Sequence, residues 1–506
     1  MINKSLFFIC TLVTTCFHAQ DISDAVRFSD QSIKGTARYR AMSGAFGALG
    51  ADLSALQTNP AGSAVFLNSS ASVTLSSQRI ENETSYFNTF NTTKERDLNF
   101  NQLGAVFVYN NLDAEFPINR ISLGVAYDQT ASNVDEFYVS GNSRNSIDSY
   151  FLSQAQGIEV GTLTVQPRES IEGVYSFLGE NQGYGAQQAF LGYESFVIDA
   201  VDPDDPNSTR YVSNIAGGPD GFDQTYINES TGLNGKFTLN AGLQLHTNFY
   251  LGINLNSHFL NYDRVTQFTE FNNNDGSNIN EVRFNNRLST TGSGFSAQIG
   301  GIAKLSDQLR VGLSFESPIW YYISDETLQE IETFSDADGR ALVRPNVVNI
   351  FPEYQLRTPA KATGSIAWLF GTRGLLSLDY SYKDYSTTEF DSDEGVSYTQ
   401  INQDIENSLQ GASTLRVGGE WRNGNWSFRG GLRCEESPYK DDRVLSEKQG
   451  YSLGLGYTFR KVRFDAAYDH TSQDRSQQFY PGSEFTNQTL ITSKEEQFIF
   501  TVSFNL

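Results

Sequence analysis

Alternation with a period of two, sustained over about ten residues and repeated many times, restricts this chain more than any other feature. In residues 236–246, Phe237, Leu239, Ala241, Leu243 and Leu245 share one face, while Lys236, Thr238, Asn240, Gln244 and His246 share the other. Leu251, Ile253, Leu255 and Phe259 repeat the pattern opposite Asn254, Asn256 and His258. Tyr451, Leu453, Leu455, Tyr457 and Phe459 lie opposite Ser452, Thr458 and Arg460, and Val462, Phe464, Ala466 and Tyr468 opposite Lys461, Arg463, Asp465 and Asp469. A tilted strand of about ten residues crosses a bilayer, whereas strands of soluble sandwiches average about five or six.

Composition narrows the class further. Phe (37) and Tyr (25) are abundant and Met (2) is scarce in a chain that is only 39% hydrophobic, which suits an amphipathic β-protein. A net charge of −23 argues against nucleic acid and anionic membrane surfaces as partners, because both need a basic face. Residues 1–19 read as a signal peptide: Lys4 is the positive start, 6–13 the apolar run, and cleavage before Gln20 follows. Val13-Thr14-Thr15-Cys16 is a poor lipobox. Of three cysteines only Cys434 lies beyond that peptide, so the mature chain has no intramolecular disulfide. An exported chain of half-apolar strands, with no apolar run of about 18 residues, is either a secreted β-protein or a closed membrane barrel.

Strand candidates start near residues 72, 98, 120, 236, 249, 292, 309, 360, 374, 412, 425, 449, 461 and 495. Fourteen is an even number, as bacterial barrels require. Short turns at 246–248, 306–308, 371–374, 423–424 and 460–461, with 110–119 the longest, alternate with long loops at 81–97, 132–235, 263–291, 322–359, 385–411, 435–448 and 472–494. That alternation is the outer-membrane pattern and puts both barrel ends on the periplasmic side. The final strand ends the chain at Phe504-Asn505-Leu506, similar to the C-terminal assembly signal of such barrels.

Acidic clusters at 202–205, 336–338 and 391–394 read as solvated loop surface, because their spacing matches no Ca²⁺ loop. The segment 132–235 is too long for a plain loop and carries helix-like apolar patches. Phe190, Tyr193 and Val197 fall on one helical face. Phe151, Leu152, Phe177, Phe190, Tyr193 and Phe196 are the candidate ligand contacts, as a landing groove at the outer mouth or as packing of the loop onto the rim. Catalysis is not expected: neither GxSxG nor HExxH occurs, and His246, His258 and His470 sit on polar faces or strand ends. No metal or cofactor is expected either. Asp465 and Asp469, with Arg463 and Lys461 beside them and Arg429 and Arg433 two strands away, read as lumenal ion pairs that stiffen the wall.

A barrel of fourteen strands has a lumen that its own side chains cannot fill. Between signal and barrel, residues 20–70 supply a plug: Ser43, Gly44, Ala45, Gly47, Ala48, Gly50 and Ala51 are small, and Asn59-Pro60-Ala61-Gly62 reads as a turn that ends a short helix, with Gly62 at positive φ. The barrel then occupies 71–506.

Gly44-Ala45-Phe46-Gly47, Gly50, Asp52 and Asn59-Pro60-Ala61-Gly62, about forty residues past the cleavage site and followed by the strands, resemble the N-terminal hatch of the FadL/TodX (OMPP1) family of hydrophobic-compound transporters. The resemblance implies an all-β fold, a fourteen-stranded antiparallel transmembrane β-barrel with a small helical hatch plugging the lumen. It implies passive uptake of long-chain fatty acids or aromatic hydrocarbons across the outer membrane. Gly44, Phe46, Gly47, Gly50, Asn59, Pro60, Ala61 and Gly62 would then form the gate. Ligands would sit in an apolar pocket above it, delivered from the lipopolysaccharide layer. Two alternatives stand beside this reading. One is a barrel component that hands proteins to a cell-surface secretion machinery; the other is an outer-membrane hydrolase.

Overall fold

The computed structural model describes residues 21–506 apart from 112–116, 273, 394 and 483. The expected signal peptide and Glu394 of the third acidic cluster therefore lie outside the described residues. Fourteen antiparallel strands close into one barrel. They are β1 (Ser70–Tyr86), β2 (Thr89–Asn110), β3 (Ile118–Ser132, continued by Asp135–Ser143), β4 (Phe222–Leu245) and β5 (Phe249–Asn272). Next come β6 (Glu281–Lys304), β7 (Leu309–Glu316, continued by Trp320–Ser335), β8 (Tyr354–Arg357, continued by Lys361–Leu369), β9 (Gly374–Asp384) and β10 (Gly411–Asn423). The last four are β11 (Trp426–Glu435), β12 (Lys448–Phe459), β13 (Val462–Gln478) and β14 (Gln488–Asn505). The ring closes where β1 pairs with β14, from Ser70↔Asn505 to Ser85↔Leu490.

The alternating faces fall inside-out relative to a soluble protein. Phe237, Leu239, Leu251, Ile253 and Leu255 are exposed, while Asn240, Asn254 and Asn256 are buried. Lipid covers an apolar outer face at no cost, and ring closure pairs the two end strands whose edges would otherwise lie bare in lipid. Aromatic girdles mark both interfaces: Trp368, Trp421, Trp426 and Phe459 near the short turns, Trp320, Tyr322, Tyr380 and Tyr382 near the other end.

The strands run well past the bilayer, β4 and β5 reaching 24 residues each. Much of what the sequence suggests as loop is therefore strand. The hairpin over 81–97 turns only at Phe87 and Asn88, both at positive φ, as a tight two-residue turn requires. Likewise 263–291 and 472–494 are mostly ladder. Pairing continues beyond the membrane, but the outward face there is polar (Arg79, Glu81, Lys94, Arg96), so the alternation that signals a spanning strand fades. Within 132–235 the true excursion is 144–221. It holds α5 (Asp148–Ala155), α6 (Val160–Leu163), α7 (Ile171–Gln182) and α8 (Tyr184–Glu194). These helices follow four that precede the barrel: α1 (Ile22–Ser29), α2 (Ala37–Arg40) and the 3₁₀ turns α3 (Leu53–Gln57) and α4 (Pro60–Val65). Between β9 and β10 lie a 3₁₀ turn (Tyr385–Thr387) and a further α-helix, α9 (Thr399–Ser408).

Candidate functional site

The segment from α2 to α4 lies inside the barrel near its short-turn end, and what seats it there is the absence of side chains on the wall. A Cβ on Gly252 would stand 2.3 Å from the Pro60 carbonyl carbon, and one on Gly300 2.1 Å from Asn59 Oδ1. A Cβ on Gly312 would stand 2.2 Å from the Gly47 carbonyl oxygen, and one on Gly431 2.5 Å from the Met42 carbonyl carbon. Gly242, Gly418 and Gly454 meet Ser63, Met42 and Ala41 equally closely. Hatch backbone thus packs directly on wall backbone along a belt of inward glycines. The belt has a sequence signal: each of these residues occupies a polar-face position in the alternation, between Asn240 and Gln244 for Gly242 and just before Asn254 for Gly252. Composition read strand by strand passes over such gaps.

Polar groups complete the seat. Asn59 extends Nδ2 to the carbonyls of Gly47 (2.8 Å) and, on the wall, Gly301 (3.1 Å), while its Oδ1 accepts the Ala61 N–H (3.1 Å). It therefore both caps α4 and ties that turn to β6. Asn59-Pro60 starts a helical turn, with Pro60 as its first residue, rather than ending one. Gly62 does not adopt positive φ; it is small because Gly50 lies against it, a Cβ at 62 falling 3.2 Å from the Gly50 Cα. Gly44 and Gly50 do take positive φ, at +75° and +65°. Asp379 of β9 accepts the N–H groups of Phe46 and Gly47, each at 2.9 Å. Asn240 donates to the Pro60 carbonyl (3.0 Å), Asn254 to that of Leu56 (2.8 Å), and Thr501 accepts the Ala37 N–H (2.7 Å).

Buried ion pairs pin the other flank. Glu420 of β10 takes Arg38 (3.0 Å), Arg429 (2.6 Å) and Arg422 (2.5 Å). Arg429 also reaches Asp465 (2.8 Å), and Asp469 joins Arg433 (2.7 Å) to Arg40 of α2 (3.1 Å). The Arg429–Asp465 and Arg433–Asp469 pairs follow from the alternation; their hatch partners Arg38 and Arg40 and the hub Glu420 do not. Burial works against the charge on Arg38, but Glu420 and Asp52 raise its pKa beyond the ordinary guanidinium value. Lys34, fully enclosed, has its amine pushed down by burial to about 8, with Glu495 opposing the shift.

The space directly on the hatch is polar, not apolar as the sequence suggests. Its floor is Tyr39 and Thr58, and its wall carries Lys361, Lys383 and Arg416. Inward positions on these strands are polar because the alternation makes them so. Lys361 pairs with Glu316 (2.6 Å), and Lys383 donates to the Ser29 carbonyl (2.8 Å). Arg416 has no carboxylate within 4.0 Å among the described residues, and its buried Nε has no hydrogen-bond partner. Apolar lumen lies farther out, where Leu260, Tyr262, Ile323 and Tyr354 line the wall. There Ala25, Val26 and Phe28 of α1 already cover it. Between α1, α9 and the outer loops a vestibule of about 1800 Å³ opens outward.

The six loop aromatics and aliphatics are not gathered into one groove. Phe151 and Phe190 are fully buried in the core that packs α5–α8 over the barrel, Phe151 edge-on to Phe284 at 5.3 Å. Leu152 and Tyr193 are half-buried against that core, whereas Phe177 and Phe196 are exposed.

One stretch of wall lacks a backbone ladder. β2 pairs with β3 only from Asn110↔Arg120 to Gln102↔Asp128. Above that, β2 continues on β1 and β3 on β4. Side chains bridge the seam: Thr93 Oγ1 accepts the Tyr138 N–H (3.2 Å), and Asn91 donates to Ser140 Oγ (3.3 Å). At its base sits an amide chain, Asn101 to Gln129 (3.2 Å), Gln129 to Asn99 (2.8 Å) and Asn99 to Gln78 (3.1 Å), met from the hatch by Lys34 (3.3 Å). Outside it Phe100 stacks on Tyr127 at 5.6 Å, with Phe237 5.5 Å beyond.

No family model and no curated protein matches the sequence. Among solved structures, a Pseudomonas aeruginosa FadL homologue has a TM-score of 0.54 at 14% identity, covering 94% of this chain and 99% of its own. The P. putida toluene transporter TodX has a TM-score of 0.52 at 12% identity, covering 94% and 99%. Both likenesses are of fold, and with the chain's own closed barrel and lipid-facing apolar belt they make it an outer-membrane β-barrel with the FadL/TodX fold.

Proposed function

We propose that the protein is a passive outer-membrane channel for hydrophobic compounds, long-chain fatty acids included, whose exit is sideways through the β2–β3 seam. The observation that carries this reading is the contrast between the two closures of the lumen. The hatch is held by buried charge pairs and backbone packed on backbone. The seam is held by side chains alone: hydrogen bonds worth about 0.5–1.5 kcal/mol net each, the Asp135–Arg475 ion pair (2.6 Å), and Tyr86 in a buried cluster with Phe137 and Val139. A molecule above the hatch therefore meets its weakest barrier at the seam, and the aromatic patch of Phe100, Tyr127 and Phe237 receives it in the bilayer. Burial of apolar surface at about 25 cal/mol per Å² draws an acyl chain in without specific polar contacts. Arg416, charged and without a carboxylate partner, is the residue for an anionic head group.

Paired uptake assays test this. Cells lacking the protein should take up labelled oleate and toluene more slowly than wild type. Arg416→Ala should weaken oleate handling by about tenfold, the size of one lost charge-assisted hydrogen bond, and leave toluene unchanged. Wild-type uptake of both compounds in the deletion strain would refute the channel. An equal effect of Arg416→Ala on both would refute the role of Arg416.

A further inference from the structure

Below the hatch, on the side of the short turns, the barrel opens as a second vestibule of about 550 Å³. That lies within the range of about 300–1,000 Å³ common for small-molecule pockets. Its ceiling comes from the hatch, where Leu49, Leu53 and Phe66 are buried, Val65 is half-buried and Leu67 is 69% exposed. Its wall is cationic and comes from four strands: Lys304 of β6, Arg310 of β7, Arg422 of β10 and Arg463 of β13.

The carboxylates nearby are already engaged. Asp52 accepts Thr36 Oγ1 (2.7 Å) and the Ser54 N–H (3.0 Å). Asp465 takes Arg429 (2.8 Å) and Arg463 (3.0 Å), and Glu420 is the hub for Arg38, Arg422 and Arg429. Lys304 and Arg310 have no carboxylate within 4.0 Å among the described residues. Lys304 Nζ stands 5.1 Å from the centre of the Tyr250 ring, and Arg310 donates to the Leu49 carbonyl (3.2 Å). In a chain of net charge −23, Lys304 and Arg310 thus face the cavity with hatch contacts but no carboxylate to neutralise them, beside the open side chain of Leu67.

We infer that this lower vestibule is a binding site for a single-chain anionic amphipath loaded from the periplasmic side, its tail under the hatch at Val65–Leu67 and its head group on Lys304 and Arg310. The geometry needs both halves of the ligand: a neutral hydrocarbon leaves the cations bare, and a small anion leaves the ceiling in water. The site goes beyond the uptake reading, because the hatch separates it from the upper lumen and a ligand can reach it without crossing.

Photolabelling tests it. The full-length protein in phosphatidylcholine nanodiscs is exposed to a diazirine-bearing dodecanoate or to the matching dodecanol, and labelled peptides are mapped by mass spectrometry. The carboxylate should label residues 65–67, and the Lys304→Gln, Arg310→Gln double variant should lose about tenfold of that label. Leu67→Asp, at an exposed position, should also suppress it by like-charge repulsion. Equal labelling by the alcohol, or an unchanged signal in both variants, would overturn the assignment. So would loss of the label when phosphatidylglycerol is added, since lipid head groups would then hold the site. Labelling near Tyr39 and Arg416 reports the upper lumen separately, so the two proposals can fail independently.

Discussion

Replacing Gly252 with valine is expected to unseat the hatch while leaving the barrel folded. The new Cβ would fall 2.3 Å from the Pro60 carbonyl carbon and 2.4 Å from the Ala61 nitrogen, both backbone atoms that cannot rotate aside. Overpacking of this kind costs about 1–3 kcal/mol when neighbours can yield. Here the cheaper response is for α4 to move inward, giving up the Asn240–Pro60 and Asn59–Gly301 hydrogen bonds. Ion conductance in planar bilayers should rise, and cells should become sensitive to large polar antibiotics. Gly301→Val is the matched control: a Cβ there faces lipid, with Leu251 Cδ2 its nearest neighbour at 3.5 Å. It should leave conductance unchanged. Equal conductance for Gly252→Val and wild type would mean that the plug does not rest on the glycine belt.

Glu420→Ala is expected to be the most destabilising single change in the hatch–wall contact. The Glu420 side chain is fully buried, as is that of Arg429, and Arg38 is nearly so. Removing the carboxylate leaves Arg38 with Asp52 at 4.0 Å and Arg429 sharing Asp465 with Arg463. Breaking one partner of a buried pair costs about 3–5 kcal/mol, because the remaining charge stays out of water. The loss should show as a lower temperature for the heat-induced gel shift of the folded barrel. It should also show as faster amide exchange across residues 36–52, which Arg38 anchors. Glu420→Gln keeps the shape and one acceptor and should cost less. A change under about 0.5 kcal/mol for Glu420→Ala would place it among ordinary surface substitutions and contradict the assigned hub.

The barrel was legible in the sequence because period-two alternation survives wherever one face meets lipid and the other the lumen. All fourteen strands lie where that alternation places them. Their outer ends were not legible, because above the bilayer both faces become polar and pairing no longer needs an apolar residue every second position. The hatch segment was legible through its small residues, but its seat was not. Gly242, Gly252 and Gly300 matter through what they lack, and a missing side chain looks in the sequence like an interruption of the polar face. Glu420 is one acidic residue in a strand until Arg38, 382 positions earlier, is placed beside it. The polar character of the space above the hatch is carried by Lys361, Lys383 and Arg416, inward positions that the alternation alone marks as polar but does not place on the hatch. Two of the loop aromatics, Phe151 and Phe190, are buried among α5–α8.

Covalent closure of the seam tests the lateral route most directly. Asn101 and Gln129 face each other at its base, beside lipid-facing Phe100, at 3.2 Å, and Cys434 is the only cysteine among the described residues. An Asn101→Cys, Gln129→Cys pair in a Cys434→Ser background can therefore be oxidised with no other thiol among the described residues to compete. Uptake of labelled toluene and oleate should fall to the level of the deletion strain on oxidation and return on reduction. Undiminished uptake through the oxidised, demonstrably cross-linked barrel would contradict the lateral route and leave the hatch as the only way through.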